Sequence, residues 1–201
     1  MAWFDPLRYW IAVLLVVAMP PAVLWWFVIH PFVAFWRRLG ARTTMAVMTV
    51  VLFGTMVLLF PWRDALVGRD LGRHPAAWLG LASLVLAAVI QFHRRRQLGM
   101  ATLAGMPEVS SDDKGVLLTE GIYSRVRNPR YLEVAFAVLG YALIANYTGG
   151  YWLVALMVVG LHLVVLLEER ELRDRFGAEF ESYCARTPRW IPHLARSSSA
   201  N

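Results

Sequence analysis

Two short stretches gather the charge that could do chemistry: Arg127-Asn128-Pro129-Arg130-Tyr131 and Glu168-Glu169. Arginine presents a planar fork of donors suited to carboxylates and phosphates. Adjacent glutamates hold a surplus of negative charge. The two stretches flank apolar runs at residues 131–148 and 150–167, joined at Thr148-Gly149-Gly150, which admits only a tight hairpin. Tyr131 and Glu168 each lie about 18 residues from that turn, about 27 Å at helical rise, and so share one depth. Pro129 suits a first helical turn. Two carboxylates at a helix C-terminus oppose the helix dipole and repel each other. A cation must compensate them, either an arginine of the facing segment or a bound ligand. By the same logic, neutralising either glutamate should relieve strain in the ligand-free protein. Span-end charges also act as plain interfacial anchors, and that alternative stays open.

Two more polar groups fall inside apolar runs. Glu133 sits two residues beyond Tyr131, where an intramembrane carboxylate is costly and marks function by default. It either steers a cationic acceptor or pairs with an arginine such as Arg130. His162 lies seven residues before Glu169 on the same helical face, where it either hydrogen-bonds a neighbouring helix or touches a ligand. His30, His74, His93 and His193 lack metal-ligand spacing. The single Cys184 excludes an intramolecular disulfide and a cysteine-based metal site. No metal is expected.

The elements that must position these groups are long and apolar. Of 201 residues, 58% are hydrophobic and 17% charged, against about 25% charged in soluble domains; the mean hydropathy is +0.50. The apolar residues fall in five runs, at 7–29, 43–60, 76–92, 131–148 and 150–167, and roughly 20 residues of helix cross a bilayer core. The chain reads as an all-α, polytopic membrane protein with about five transmembrane helices, a C-terminal helical hairpin and an amphipathic C-terminal helix. A soluble globular domain, a disordered chain and a disulfide scaffold are excluded. The net charge of +6, with 19 of 20 basic residues arginine, would also suit a nucleic-acid binder. Membrane-length runs assign it to membrane edges instead, and no nucleic-acid partner is expected.

The first run is too long for the core of a signal peptide and lacks a basic leader, so it reads as a retained span. Pro20-Pro21 should kink it. Sorting the basic residues by side puts 16 on one face and only Arg8, Arg63, Arg69 and Arg73 on the other. The positive-inside rule then places the N-terminus outside and the C-terminus in the cytoplasm, in an inner (plasma) membrane. Arg94-Arg95-Arg96 reads as a stop-transfer cluster meeting anionic head groups. Residues 1–92 form an N-terminal three-helix part; residues 93–195 hold the loop, hairpin and amphipathic segment that form the site; residues 196–201 are a polar tail. Leu172, Phe176, Phe180 and Tyr183 recur at three- and four-residue spacing. They predict an amphipathic helix over 169–189, lying on the membrane or closing over the hairpin mouth.

Leu118-Thr119-Glu120-Gly121-Ile122-Tyr123-Ser124-Arg125-Val126-Arg127-Asn128-Pro129-Arg130-Tyr131 resembles the G-x-Y-x-x-x-R-(H/N)-P-x-Y signature of the membrane methyltransferases. That superfamily includes isoprenylcysteine carboxyl methyltransferases and phospholipid N-methyltransferases. Glu168-Glu169-Arg170-Glu171-Leu172, the stretch from Phe176 to Tyr183, and Pro188-Arg189-Trp190-Ile191-Pro192 resemble its C-terminal segment. The resemblance covers residues 97–192 and leaves the first two spans without a signature. It implies S-adenosylmethionine as cofactor, held by Gly121, Tyr123, Arg127, Asn128, Pro129, Tyr131, Glu168 and Glu169. Arg127 suits the cofactor's carboxylate, the glutamates its ammonium, and Tyr123 and Tyr131 offer hydroxyls or aromatic faces.

Asn128 stands where many members carry histidine, although asparagine occurs among the phospholipid enzymes. Leu132 and Glu133 replace the small residue usual after the tyrosine. The resemblance implies methyl transfer to a lipid acceptor without a nucleophilic residue. A phosphatidylethanolamine amine suits the Asn-Pro variant and Glu133; a prenylcysteine carboxylate is the alternative acceptor. Membrane sterol-type reductases share related C-terminal motifs but use NADPH, whose phosphates need more basic or Gly-rich sequence than this loop offers. A non-catalytic binding protein on the same scaffold is the third reading.

Overall fold

The computed structural model describes residues 4–72, 77–97 and 116–191, with only the backbone at His30 and Val33. His74, His193, Pro192 and the polar tail at 196–201 lie outside the described residues, as does the middle of the long loop. Among the described residues every regular element is helical. The elements are α1 (Phe4–Ile29), α2 (Val33–Leu39), α3 (Ala41–Leu59), α4 (Arg63–Val67), α5 (Ala77–Arg95), α6 (Pro129–Ala145), α7 (Thr148–Phe176) and α8 (Ala178–Arg186). Short 3₁₀ turns occupy His30–Phe32, Phe60–Trp62 and Gly121–Ser124.

Four helical stretches are long and apolar enough to cross a membrane: Phe4–Ile29, Ala41–Val67, Ala77–Arg95 and Thr148–Phe176. The remaining run, at 131–148, is helical but shorter. Pro129 opens α6, and Asn146, with φ 55°, closes it in the left-handed region. Its 17 residues rise about 26 Å, and they carry Arg130 and Glu133. Its end falls three residues before the expected one because asparagine tolerates the left-handed conformation. α7 overruns its expected end at residue 167 by nine residues. Strong helix formers fill most of residues 168–175, and the first breaker is Gly177, with φ 51°. The amphipathic helix expected over 169–189 is therefore two pieces, the extension of α7 and the separate α8.

α1 is the central element, packing on α3, α4, α6 and α7. Its Leu15 joins Val138 of α6 and Leu153, Met157, Leu161 and Val164 of α7 in one buried cluster. At the end where α6 turns into α7, Arg8 is 2% exposed. Its Nε donates to the Ala145 carbonyl at 3.0 Å and its Nη2 to Asp70 at 2.6 Å and to the Gly72 carbonyl. The sequence placed Arg8 at a membrane edge; the fold uses it as an internal tie. Burial is tolerable because the charge is paired and its donors are satisfied.

A close helix contact joins α5 and α6. A Cβ on Gly140 would lie 2.8 Å from the Gly80 carbonyl oxygen and 2.8 Å from the Leu84 side chain. Ser83 Oγ donates to the Phe136 carbonyl at 2.8 Å one turn on. Small residues let the two backbones touch, as in other membrane helix pairs. Gly140→Ala should therefore destabilise the protein by about 1–3 kcal/mol in detergent unfolding. Gly54→Ala on α3, where a Cβ meets nothing within 4 Å, serves as the control and should leave the midpoint in place.

Candidate functional site

α7 carries Glu168 and Glu169 past the last apolar turn, and the 121–128 turn delivers its groups to them just before α6 begins. Glu169 is 2% exposed and fully engaged. Arg189 Nη2 donates to its Oε2 at 2.7 Å, and Arg189 Nε bridges both oxygens at 3.1 and 3.2 Å. Asn128 Nδ2 donates to Oε1 at 3.1 Å, and Arg127 Nη2 lies 3.5 Å from the same oxygen. The shared depth expected from the hairpin count is thus met by direct contact. Arg189, which sequence reasoning quoted only within a motif, is the strongest partner. A forked guanidinium on a buried carboxylate is a strong, directional contact.

The C-terminal segment closes over this spot. The Arg127 backbone N–H donates to the Pro188 carbonyl at 2.9 Å. The Tyr183 hydroxyl donates to the Tyr123 carbonyl at 2.7 Å. Burial pushes the ionisation of Tyr183 upward, so this donor keeps its proton. Phe180 and Tyr183 are buried, so the apolar face of α8 is spent on the protein itself, as a closing segment requires.

Two buried atoms beside this network have no hydrogen-bond partner among the described residues: Arg127 Nε and Glu168 Oε2. Unpaired buried polar atoms are costly, the more so when charged. One is a cationic donor and the other an anionic acceptor. Tyr123, on the same turn, feels both sides. Burial pushes its hydroxyl up to about 12, with Arg94 and Arg130 opposing and Glu168 and Glu133 adding to the rise. It remains a protonated donor across the physiological range.

The other expected site residues are placed elsewhere. Gly121 opens the 3₁₀ turn at φ 57°, where a Cβ would overlap the Gln97 amide; it seats the turn on α5. Pro129 is buried at the first turn of α6. Tyr131 is buried edge-to-face on Trp26 of α1 at 6.1 Å, and the Arg130 guanidinium lies 3.9 Å above the same ring. Glu133 pairs with an arginine, but with Arg94 of α5: Nε to Oε2 is 2.9 Å, and Gln91 Nε2 donates to Oε1 at 3.1 Å. Arg94 is therefore turned inward, and only Arg95 and Arg96 of the basic cluster are exposed. His162 is exposed on α7, its ring 6.2 Å from Trp190. Nothing in the spacing of Arg94-Arg95-Arg96 singles out the first. Its one signal was the position of Glu133, which needs a partner at membrane depth.

Residues 75–179 match the family model for phospholipid methyltransferase. The match takes in α5, the 121–128 turn, α6 and all of α7, and with them Arg127, Glu168 and Glu169. No curated protein and no solved structure matches the chain.

Proposed function

The chain belongs to the phospholipid methyltransferase family, and from that premise we propose that it transfers a methyl group from S-adenosylmethionine to the amine head group of a membrane phospholipid such as phosphatidylethanolamine. The observation that carries the cofactor side is the orphaned pair, Arg127 Nε and Glu168 Oε2. A free amino-acid end offers one carboxylate and one ammonium, the two groups that such a pair lacks.

When bound, S-adenosylmethionine supplies a methyl group already activated on a sulfonium. Arg127 donates to the cofactor carboxylate and Glu168 accepts from its ammonium. Tyr123 keeps a protonated hydroxyl beside them. Glu169 meets no ligand in this reading; it holds Arg127, Asn128 and Arg189 in register. Gly121, Pro129 and Tyr131 act one step back, fixing the turn and the start of α6. The closing segment at 183–190 excludes water, which strengthens each charged contact in the site. Residues 93–195 thus make the site and residues 1–92 the scaffold, except that α5 runs on to Arg95 and ties the two parts through Arg94. The excess of basic residues at the site's end favours a cytoplasmic cofactor entrance, with the N-terminus outside.

Incubating the purified protein in phosphatidylethanolamine vesicles with methyl-labelled S-adenosylmethionine is expected to place label in the lipid fraction. Label confined to the aqueous fraction would overturn the assignment.

A further inference from the structure

A cavity of about 780 Å³ opens between the C-terminal half of α5, the start of α6 and the 121–126 turn. Its walls are apolar, with Leu86 and Val89 from α5 and Leu132 and Phe136 from α6. Its rim carries Arg96 and Arg125, both exposed and neither ion-paired with a described acidic residue. Among the described residues, no Asp or Glu lines it. The 121–128 turn separates this cavity from the Glu168–Glu169 cluster. Ile122, Arg125 and Val126 line the cavity, while Arg127 and Asn128 engage Glu169. The same alternation recurs at the closing segment, where Trp190 lines the cavity and Arg189 grips Glu169.

Leu86 and Val89 are 42% and 46% exposed on a helix apolar enough to cross a membrane, so the groove is open toward acyl chains. Arg96 stands ten residues beyond Leu86, about 15 Å nearer the membrane surface. We propose that this groove seats a membrane phospholipid, its acyl chains against Leu86, Val89, Leu132 and Phe136 and its phosphodiester between Arg96 and Arg125. Guanidinium forks match phosphate oxygens, and the apolar walls would be useless to a soluble phosphate. That the seated lipid is the methyl acceptor rests on the function proposed above; that a phospholipid binds here does not.

The test is quenching of tryptophan fluorescence in detergent micelles by phosphatidylethanolamine brominated on its acyl chains. Trp190→Phe assigns the groove's share of the signal. The parent should show saturable quenching that Trp190→Phe diminishes. Arg96→Gln/Arg125→Gln should weaken it about 30-fold, from the usual contribution of two interfacial arginines. Brominated diacylglycerol, which lacks phosphate, should quench parent and double variant alike, and S-adenosylhomocysteine affinity should stay at the parent value in the variant. Equal lipid affinity in parent and double variant, or no loss of signal in Trp190→Phe, would overturn the proposal. So would displacement of the lipid by inorganic phosphate, which would make the rim a soluble-anion site. Lipid binding as expected without any methyl transfer would leave the groove standing and overturn the function instead.

Discussion

Glu168→Gln is expected to cut S-adenosylhomocysteine affinity by about 30- to several-thousand-fold while the protein melts no lower than the parent. The first half follows from losing one partner of a charge-assisted pair in a water-poor site, typically about 2–5 kcal/mol. The second follows from the ligand-free state. Glu168 Oε2 is buried with no hydrogen-bond partner among the described residues, so a neutral amide gives up no hydrogen bond at that oxygen and relieves a buried, unmatched acceptor. Affinity and stability therefore move in different directions, which an anchor at the membrane surface would not produce. Calorimetric titration gives the first quantity and detergent unfolding the second. Parent-like affinity in Glu168→Gln would remove the residue from the site. Arg127→Leu should match it in lost affinity, but not in stability, because it also takes a cation from Glu169.

The neighbouring residue should behave in the opposite way. Glu169→Gln is expected to destabilise the protein by about 3–5 kcal/mol, the usual consequence of removing one side of a buried ion pair. Two guanidiniums, Arg127 and Arg189, converge on that carboxylate, and without it they face each other uncompensated. The repulsion argument from sequence alone expected relief from neutralising either glutamate. The structure reverses that expectation for Glu169, because Arg189 returns from the closing segment to neutralise it. Loss of the tie should also free the segment from α8 to Ile191, raising its rate of limited proteolysis in the variant. An unchanged melting midpoint with an unchanged cleavage pattern would show that the network is not what holds the segment down. Arg189→Gln should reproduce the proteolysis and part of the destabilisation, since Asn128 and Arg127 remain. The double variant with Glu169→Gln should then cost less than the sum, as expected for residues in contact.

Much of this arrangement is legible in the chain because membrane physics leaves few options. Apolar runs of bilayer length must be helices, and a connection as short as Thr148-Gly149-Gly150 forces a hairpin. Counting along that hairpin puts Tyr131 level with Glu168, and so the 127–131 stretch opposite Glu168-Glu169; the contact of Asn128 with Glu169 is what the fold adds. What escaped were long-range partners whose neighbours share their type. Arg94 looks no different from Arg95 and Arg96, yet only Arg94 points along α5 toward Glu133. Arg8, one charge near an apolar run, is buried because Asp70 and the carbonyls of Ala145 and Gly72 meet it, and those lie 62 or more residues away. Adjacent glutamates with identical local sequence take separate roles, one neutralised and one left open, for the same reason. Arg189 arrives through a fold-back that periodicity does not encode. Helix ends follow local breakers, so Asn146 and Gly177 moved the boundaries of α6 and α7 away from where hydropathy alone drew them.

The site's identity rests on one affinity. Purified protein titrated calorimetrically with S-adenosylhomocysteine, and separately with NADPH, is expected to bind the first at about one per chain and to give no heat with the second. Absence of S-adenosylhomocysteine binding by a folded, lipid-supplemented preparation, or saturable binding of NADPH in its place, would contradict the assignment of Arg127 and Glu168 to a methyl-donor site.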